Sequence, residues 1–353
     1  MRQEFLHRTK FKAPVNVTWE VTARCNLHCR HCLSADIGEF SEAELGFEEC
    51  RALIDTLKQM EVFQVNFGGG EPFMRGDFLD LLRYAHEQGI TTCVSTNGTL
   101  LTDAIVSKLR EMDLLYLQVS LDGATASTND VMRGPGTHGR IIEAVTLLHR
   151  HCVPHVSINT VVTRANFREI GDLHVLSTRL GAKTRFSRFR PSGNGKKTWD
   201  ELRLDGLQLA ELSRFLSAHQ DIVTGDSFFS ITAFDRRELG LNMCGAARMT
   251  CSVLPDGGVY PCAFLHDRRF LAGKVLTESL QSIWDNAPVF ELLRNIRVDA
   301  CGSCWRFSIC HGGCPAVAYF LTDALDRPDP ECVASFRRAL QSAPAADQAY
   351  QSP

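Results

Sequence analysis

Two hydrophobic textures divide the chain. From about residue 15 to 190, short runs rich in β-branched and aromatic residues alternate with longer segments whose apolar positions recur three and four apart. The short runs, 15–21, 62–67, 90–95, 114–121, 155–162 and 183–189, read as strands. The segments 47–60, 77–88, 103–111, 139–150 and 167–180 read as amphipathic helices, with Leu53, Ile54, Leu57 and Met60 marking one buried face. Thr102 is placed to cap the third helix, and Gly89 and Gly181 stand where helices should stop. Strands alternating with helices predict repeated βαβ units and a parallel sheet. The expected class is α/β, as a partial (β/α)6 barrel or a doubly wound sheet; periodicity alone does not choose.

Either fold puts chemistry at the C-terminal ends of its strands. The first predicted strand ends just before Cys25. The second runs into Gly68-Gly69-Gly70-Glu71-Pro72, the third into Ser95-Thr96-Asn97-Gly98 and the fourth into Ser120-Leu121-Asp122-Gly123. The fifth precedes Thr163-Arg164-Ala165-Asn166. Polar and glycine-rich residues therefore gather on one face.

Beyond residue 190 the rhythm weakens. A glycine-rich turn at 191–195 and a helix at 207–219 are expected. After Cys244, Cys, Gly and Pro become frequent, and only 279–295 keeps a helical period. The expected organisation is an extension at 1–14, a barrel at 15–195, a bridge at 196–243, a metal-organised domain at 244–340 and a disordered tail at 341–353.

Composition changes this picture at one point. The 353 residues carry a net charge of −3 and no basic stripe, which excludes a general nucleic-acid binder. No apolar run approaches the roughly 18 residues of a membrane span, and the first eleven residues lack the apolar stretch of a secretory signal. The expected location is cytoplasmic. The 14 cysteines are too dilute for a small disulfide scaffold, and in a reducing compartment clustered cysteines more often bind metal.

Cys25-Asn-Leu-His-Cys29-Arg-His-Cys32 is a C-x3-C-x2-C triplet in the loop after the first strand. Three thiolates on a 4Fe–4S cube leave one iron open. Zinc is the alternative, with His28 or His31 as a fourth ligand. In this position the triplet resembles that of the radical S-adenosylmethionine (radical-SAM) superfamily, although His31 stands where that family usually has an aromatic residue. The resemblance implies that the open iron binds S-adenosylmethionine. Gly69, Gly70 and Glu71 resemble the family's GGEP element. The resemblance also assigns Ser95, Asn97, Ser120 and Asp122 to the same cofactor, and Arg133 to its carboxylate.

The downstream cysteines are Cys244, Cys251, Cys262, Cys301, Cys304, Cys310, Cys314 and Cys332. Their spacing resembles the SPASM extension of radical-SAM peptide maturases, and two zinc ribbons are the alternative. The resemblance implies two closed auxiliary 4Fe–4S clusters, held by Cys244, Cys251, Cys262 and Cys314 and by Cys301, Cys304, Cys310 and Cys332. That makes three clusters in all. Cys50, Cys93 and Cys152 read as packing residues.

Other stretches resemble the mycofactocin radical-SAM maturase family: Cys32-Leu-Ser-Ala, Arg190-Pro-Ser-Gly-Asn-Gly, Leu241-Asn-Met-Cys-Gly-Ala and Asp329-Pro-Glu-Cys-Val. This implies oxidative decarboxylation of the C-terminal Tyr of a ribosomally made precursor peptide, then Val-Tyr C–C crosslinking. Another SPASM-type maturase, forming thioethers or oxidising a sulfatase, is the alternative. Only 24 residues precede Cys25, fewer than a fused peptide-recognition domain of roughly 80 residues needs. A separate small peptide-recognition chaperone is therefore expected, and with it an external donor of flavodoxin or ferredoxin type. Residues 224–229 are a candidate peptide contact. No protein acid or base is identified.

Overall fold

The computed structural model describes residues 10–40, 43–224, 244–305 and 307–332. The expectations for 225–229 and for the tail at 341–353 lie outside the described residues.

Six parallel strands form the centre: β1 (Asn16–Glu20), β2 (Gln64–Gly68), β3 (Thr91–Thr96), β4 (Tyr116–Ser120), β5 (Val156–Val162) and β6 (Lys183–Arg188). They lie side by side in chain order. A doubly wound sheet would reverse direction at an inner strand; this one winds one way, as a partial barrel does. Right-handed crossovers then put every connecting helix on the same outer face. Phe47–Gln59, Phe78–Glu87, Asp103–Arg110, Thr137–Arg150 and Ile170–Arg179 are those helices.

The sheet continues past both ends of this set. β7 (Val223–Thr224) pairs with β6, and β8 (Thr250–Val253) runs parallel to β1 with Cys251 opposite Val17. β9 (Gly258–Tyr260) and β10 (Gly273–Lys274) follow antiparallel. The cysteine-rich region thus begins as three strands of the barrel's own sheet.

Strand alternation separates two environments. Val17, Trp19, Val65, Phe67, Leu117, Val119 and Phe186 are buried outward, where Leu53, Ile54, Leu81, Leu82, Val106, Leu109 and Leu148 from the helices meet them. The alternating positions Asn16, Thr18, Glu20, Asn66, Ser95, Gln118, Ser120, Asn159, Arg185 and Ser187 line an internal cavity. Closed barrels usually fill this space with branched apolar side chains. Here the wall is polar, and a lumen remains.

Five helices among the described residues are absent from the periodicity reading: Ile37–Phe40, Ala126–Arg133, Asn194–Leu202, Phe307–Cys310 and Pro315–Thr322. Ala126–Arg133 carries Ser, Thr, Asn and Asp, so it has no apolar stripe; Thr125 caps it by accepting from the Thr128 N–H. Asn194–Leu202 starts inside the expected glycine-rich turn. The periodic stretch at 279–295 is two helices, Leu280–Asn286 and Pro288–Arg294, because Pro288 cannot continue the first but suits the start of the second. Cys50 and Cys93 are buried as expected, whereas Cys152 is exposed, in the turn just after Arg150.

Candidate active site

The cavity has a volume of about 530 Å³. The loop after β1 brings Cys25, Cys29 and Cys32 to its wall. The glycine-rich loop after β2 supports that loop from behind. The Gly70 N–H donates to the Thr22 carbonyl and the Glu71 N–H to the Arg24 carbonyl, each at 2.8 Å. A Cβ on Gly70 would stand 2.3 Å from the Arg24 oxygen, so only glycine allows this approach. Gly69 and Gly70 line the cavity.

Glu71 is fully buried and does not line it. One carboxylate oxygen accepts from the Asn97 N–H and the other from the Thr96 hydroxyl, both at 2.7 Å. Glu71 therefore shapes the loop after β3. That loop presents Asn97, whose amide nitrogen lies 3.9 Å from the Cys25 sulfur and donates to Asn26 at 2.9 Å. Ser95 and Ser120 lie on the cavity wall.

Asp122 is fully buried behind the wall. Its Oδ2 is 2.6 Å from Arg133 Nε and 3.1 Å from His31 Nε2, and its Oδ1 accepts from the Val161 N–H at 2.9 Å. Burial alone would raise this carboxyl; the Arg133 guanidinium and His31 instead hold it well below the usual carboxylate range. Arg133 and His31 both reach the cavity, and Arg133 Nη1 lies 4.0 Å from the Cys29 sulfur. Asp122 thus orients two groups that face the triplet. Among the described residues the buried His31 Nδ1 has no hydrogen-bond partner. This pairing of His31 with Asp122 had no signature in the sequence.

Burial raises all three triplet thiols, Cys32 to about 12. A metal cation binding here would replace those protons, so metal and proton compete at the site. Three thiols beside an arginine and backbone glycines fit a cluster with one open iron and a zwitterionic ligand.

The same cavity is lined by Cys244, Cys262 and Cys314. Cys251 is fully buried on β8 and is not on this wall. Cys301, Cys304, Cys310 and Cys332 surround a second, small void with Gly312, Gly313 and Asp329. Among the described residues no three His, Cys, Asp or Glu side chains are grouped as for a single metal ion.

Arg188, at the end of β6, went unnoticed in the sequence and joins these regions. Its two terminal nitrogens donate to the two oxygens of Asp329 at 2.7 Å, and its Nε donates to Glu331. Asp329 Oδ2 also accepts from the Cys314 N–H at 2.9 Å, and the Asp329 carbonyl accepts from the Cys332 N–H at 3.0 Å. Asp329 therefore positions a cysteine at each void, Cys314 through its carboxylate and Cys332 through its backbone carbonyl. Gly313 is required beside it, since a Cβ there would fall 2.2 Å from that of Asp329.

Burial also raises Glu20, at the end of β1 on the cavity wall, to about 7. A lone inward carboxyl at a strand end has no motif to announce it.

Residues 19–175 match the radical SAM superfamily, and residues 244–305 match the SPASM iron–sulfur cluster-binding domain. The chain is 42% identical over 329 residues to the mycofactocin maturase MftC of Mycobacterium ulcerans (strain Agy99), across 92% of this chain and 89% of that protein. It is 32% identical over 342 residues to the AdoMet-dependent heme synthase of Methanosarcina barkeri (strain Fusaro / DSM 804), across 91% and 97%. The crystal structure of Streptococcus suis SuiB bound to precursor peptide SuiA shares the fold, with a TM-score of 0.77 at 18% identity over 93% of this chain and 78% of that one.

Proposed function

From the premise that the chain belongs to the radical SAM superfamily, with a SPASM domain and within the family of the mycofactocin maturases, we propose that it oxidatively decarboxylates the C-terminal Tyr of a precursor peptide. C–C crosslinking of the preceding Val to the former Tyr follows. One observation carries this reading: the triplet cysteines, three SPASM cysteines and a polar barrel wall all face one cavity. A peptide end placed there would lie between a site that makes radicals and a site that takes up electrons.

Cys25, Cys29 and Cys32 hold the open cluster. Gly69, Gly70, Ser95, Asn97, Ser120 and Arg133 meet S-adenosylmethionine, with Asp122 acting through Arg133 and His31, and Glu71 through the loop of Asn97. Cys244, Cys251, Cys262 and Cys314 hold the first auxiliary cluster and Cys301, Cys304, Cys310 and Cys332 the second. Bound together, these groups supply a 5′-deoxyadenosyl radical and an electron acceptor, so that one hydrogen atom, one electron and CO2 leave as a Cα–Cβ double bond forms. The polar wall excludes bulk water once the peptide fills it. A separate peptide-recognition chaperone and a flavodoxin- or ferredoxin-type donor in the cytoplasm belong to the same proposal, on the resemblance to the mycofactocin maturases. No helix among the described residues is long and apolar enough to cross a membrane.

The test is anaerobic turnover of a peptide ending in Val-Tyr. The expected product is lighter by one CO2 and two hydrogens. Loss of two hydrogens alone would favour thioether formation or sulfatase-type oxidation. Three cubes require about twelve iron per chain; about four would remove the auxiliary clusters from the proposal.

A further inference from the structure

Four arginines line the cavity: Arg133, Arg185, Arg188 and Arg190. Three have evident partners. Arg133 pairs with Asp122, and Arg188 with Asp329 and Glu331. The Arg190 guanidinium lies 3.4 Å from the Phe264 ring centroid and donates to the Arg188 carbonyl at 3.3 Å. Arg185 is different. Among the described residues its guanidinium has no hydrogen-bond or ion-pair partner.

Its position is nevertheless built. Arg185 sits within β6, opposite Asn159 of β5, which is itself opposite Ser120 of β4. Phe186, next in sequence, is fully buried in the outer core, so alternation turns Arg185 to the lumen. Its charge is felt at Tyr116 and Cys93, on β4 and β3. Asn159 accepts from the Ser187 hydroxyl at 2.7 Å and lines the cavity beside it. Among the lining residues Glu20 is the one carboxyl group, and it lies on β1, the far side of the six-strand ladder.

A half-buried guanidinium without a counter-ion is costly, and its planar fork matches a carboxylate in a bidentate way. We propose that Arg185 is a specificity-determining residue that receives the C-terminal carboxylate of the peptide substrate inside the barrel. This deepens the function proposed above and rests on its reading of the substrate. The barrel then selects a chain end: an internal tyrosine, whose carbonyl belongs to a peptide bond, brings no anion to Arg185. When CO2 departs, the product loses that hold.

Two carboxylates could reach this guanidinium, the peptide's and that of S-adenosylmethionine. The test uses reconstituted full-length enzyme with S-adenosylmethionine and two Val-Tyr peptides, one ending in the free acid and one in the carboxamide. Peptide binding is read by anisotropy, and Kd for S-adenosylmethionine is measured separately. The wild type should prefer the acid by about tenfold or more, as expected for a charged hydrogen-bonded pair. Arg185→Gln should lose that preference by weakening the acid alone, and Arg185→Lys should restore part of it. Iron content confirms that each variant is intact.

An unchanged acid-to-amide ratio in Arg185→Gln overturns the inference. So does a tenfold weaker Kd for S-adenosylmethionine, which would assign Arg185 to the cofactor. The product mass from the wild type decides the substrate reading separately. If the wild type decarboxylates the acid while Arg185→Gln keeps the preference, only the inference fails. If the wild type releases no CO2 from any such peptide, the substrate reading fails and takes the inference with it.

Discussion

The barrel wall and the region after Cys244 share one sheet but are held by different forces. In the wall, six strands of five to seven residues pair in parallel, and their outer face packs continuously under helices. Trp19 meets Phe67 at 5.6 Å between ring centroids, and Phe67 meets Phe78 at 6.1 Å. After Cys244 the strands have four, three and two residues and the helices seven or eight, apart from one four-residue turn of helix. Such short elements bury little apolar area each, and isolated helices of that length are marginal. Arginine forks take over part of the work. Arg294 donates to the carbonyls of Ala247 and Trp284 at 2.7 and 2.6 Å, and Arg248 donates to the Arg294 carbonyl at 2.6 Å. The comparison teaches that continuous apolar packing holds the barrel wall, whereas short elements and arginine forks hold the region after Cys244.

The strongest way to break the comparison is to remove one ligand from each side. Cys29→Ala should reduce 5′-deoxyadenosine formation to background, measured by chromatography under anaerobic reducing conditions, while the barrel stays folded by circular dichroism. Cys310→Ala should lower iron by about four per chain and expose 301–332 to limited proteolysis, again with the barrel intact. Protection of 301–332 in that variant would show that the region does not need its cluster to fold. Cys251→Ala asks the same of the first auxiliary site: unchanged iron would leave that site to Cys244, Cys262 and Cys314.

A smaller effect tests the joint between the two regions. Arg188→Met leaves Asp329 and Glu331 buried without their counter-charge. Removing one partner of such a pair costs about 3–5 kcal/mol, which denaturant unfolding would register. The auxiliary clusters should also change their paramagnetic resonance, since Asp329 holds the Cys314 N–H.

Glu20 supplies a pH signature for the wall. Burial raises its folded pKa from 4.5 to about 7. Its contribution to stability is complete below about pH 4.5 and is lost as pH rises through 7, because the unfolded chain releases the proton more easily. The loss above pH 7 is about 3 kcal/mol at most, from some 1.4 kcal/mol per pKa unit. Glu20→Gln should remove this slope, so that urea midpoints of the variant and the parent diverge on going from pH 5 to 8. The smallest change is Thr102→Ala. The Thr102 hydroxyl accepts from the Ile105 N–H, and its loss should cost about 1 kcal/mol without affecting cluster content.

Legibility follows the same division. The six strands and the long helices were readable because each buries one face, so burial writes a period into the chain. Ala126–Arg133 was not readable. Its buried residues are Asn129, Met132 and Arg133, and what they contribute to the site is polar. The spacing of the C-terminal cysteines resembles the SPASM extension, and residues 244–305 match that domain, since ligand geometry constrains loop length. Arg188 was not readable, since its partners Asp329 and Glu331 lie more than 140 residues away. Glu71 was readable as a motif, yet its carboxylate is turned away from the cavity wall and accepts from Thr96, Asn97 and Phe73. A motif names a residue without saying which way its side chain points.

By itself, the sequence determined the α/β class, the polar strand ends and the division of the cysteines into a triplet and a C-terminal set, because these are properties of period and spacing along one chain. Tertiary structure decided which way the sheet winds, which arginines on the cavity wall have protein partners, and which cysteines face the same space. Each of those depends on pairing between distant segments. The energy of a buried charge is set by the groups around it, and in this protein those groups come from strands and loops that no local pattern brings together.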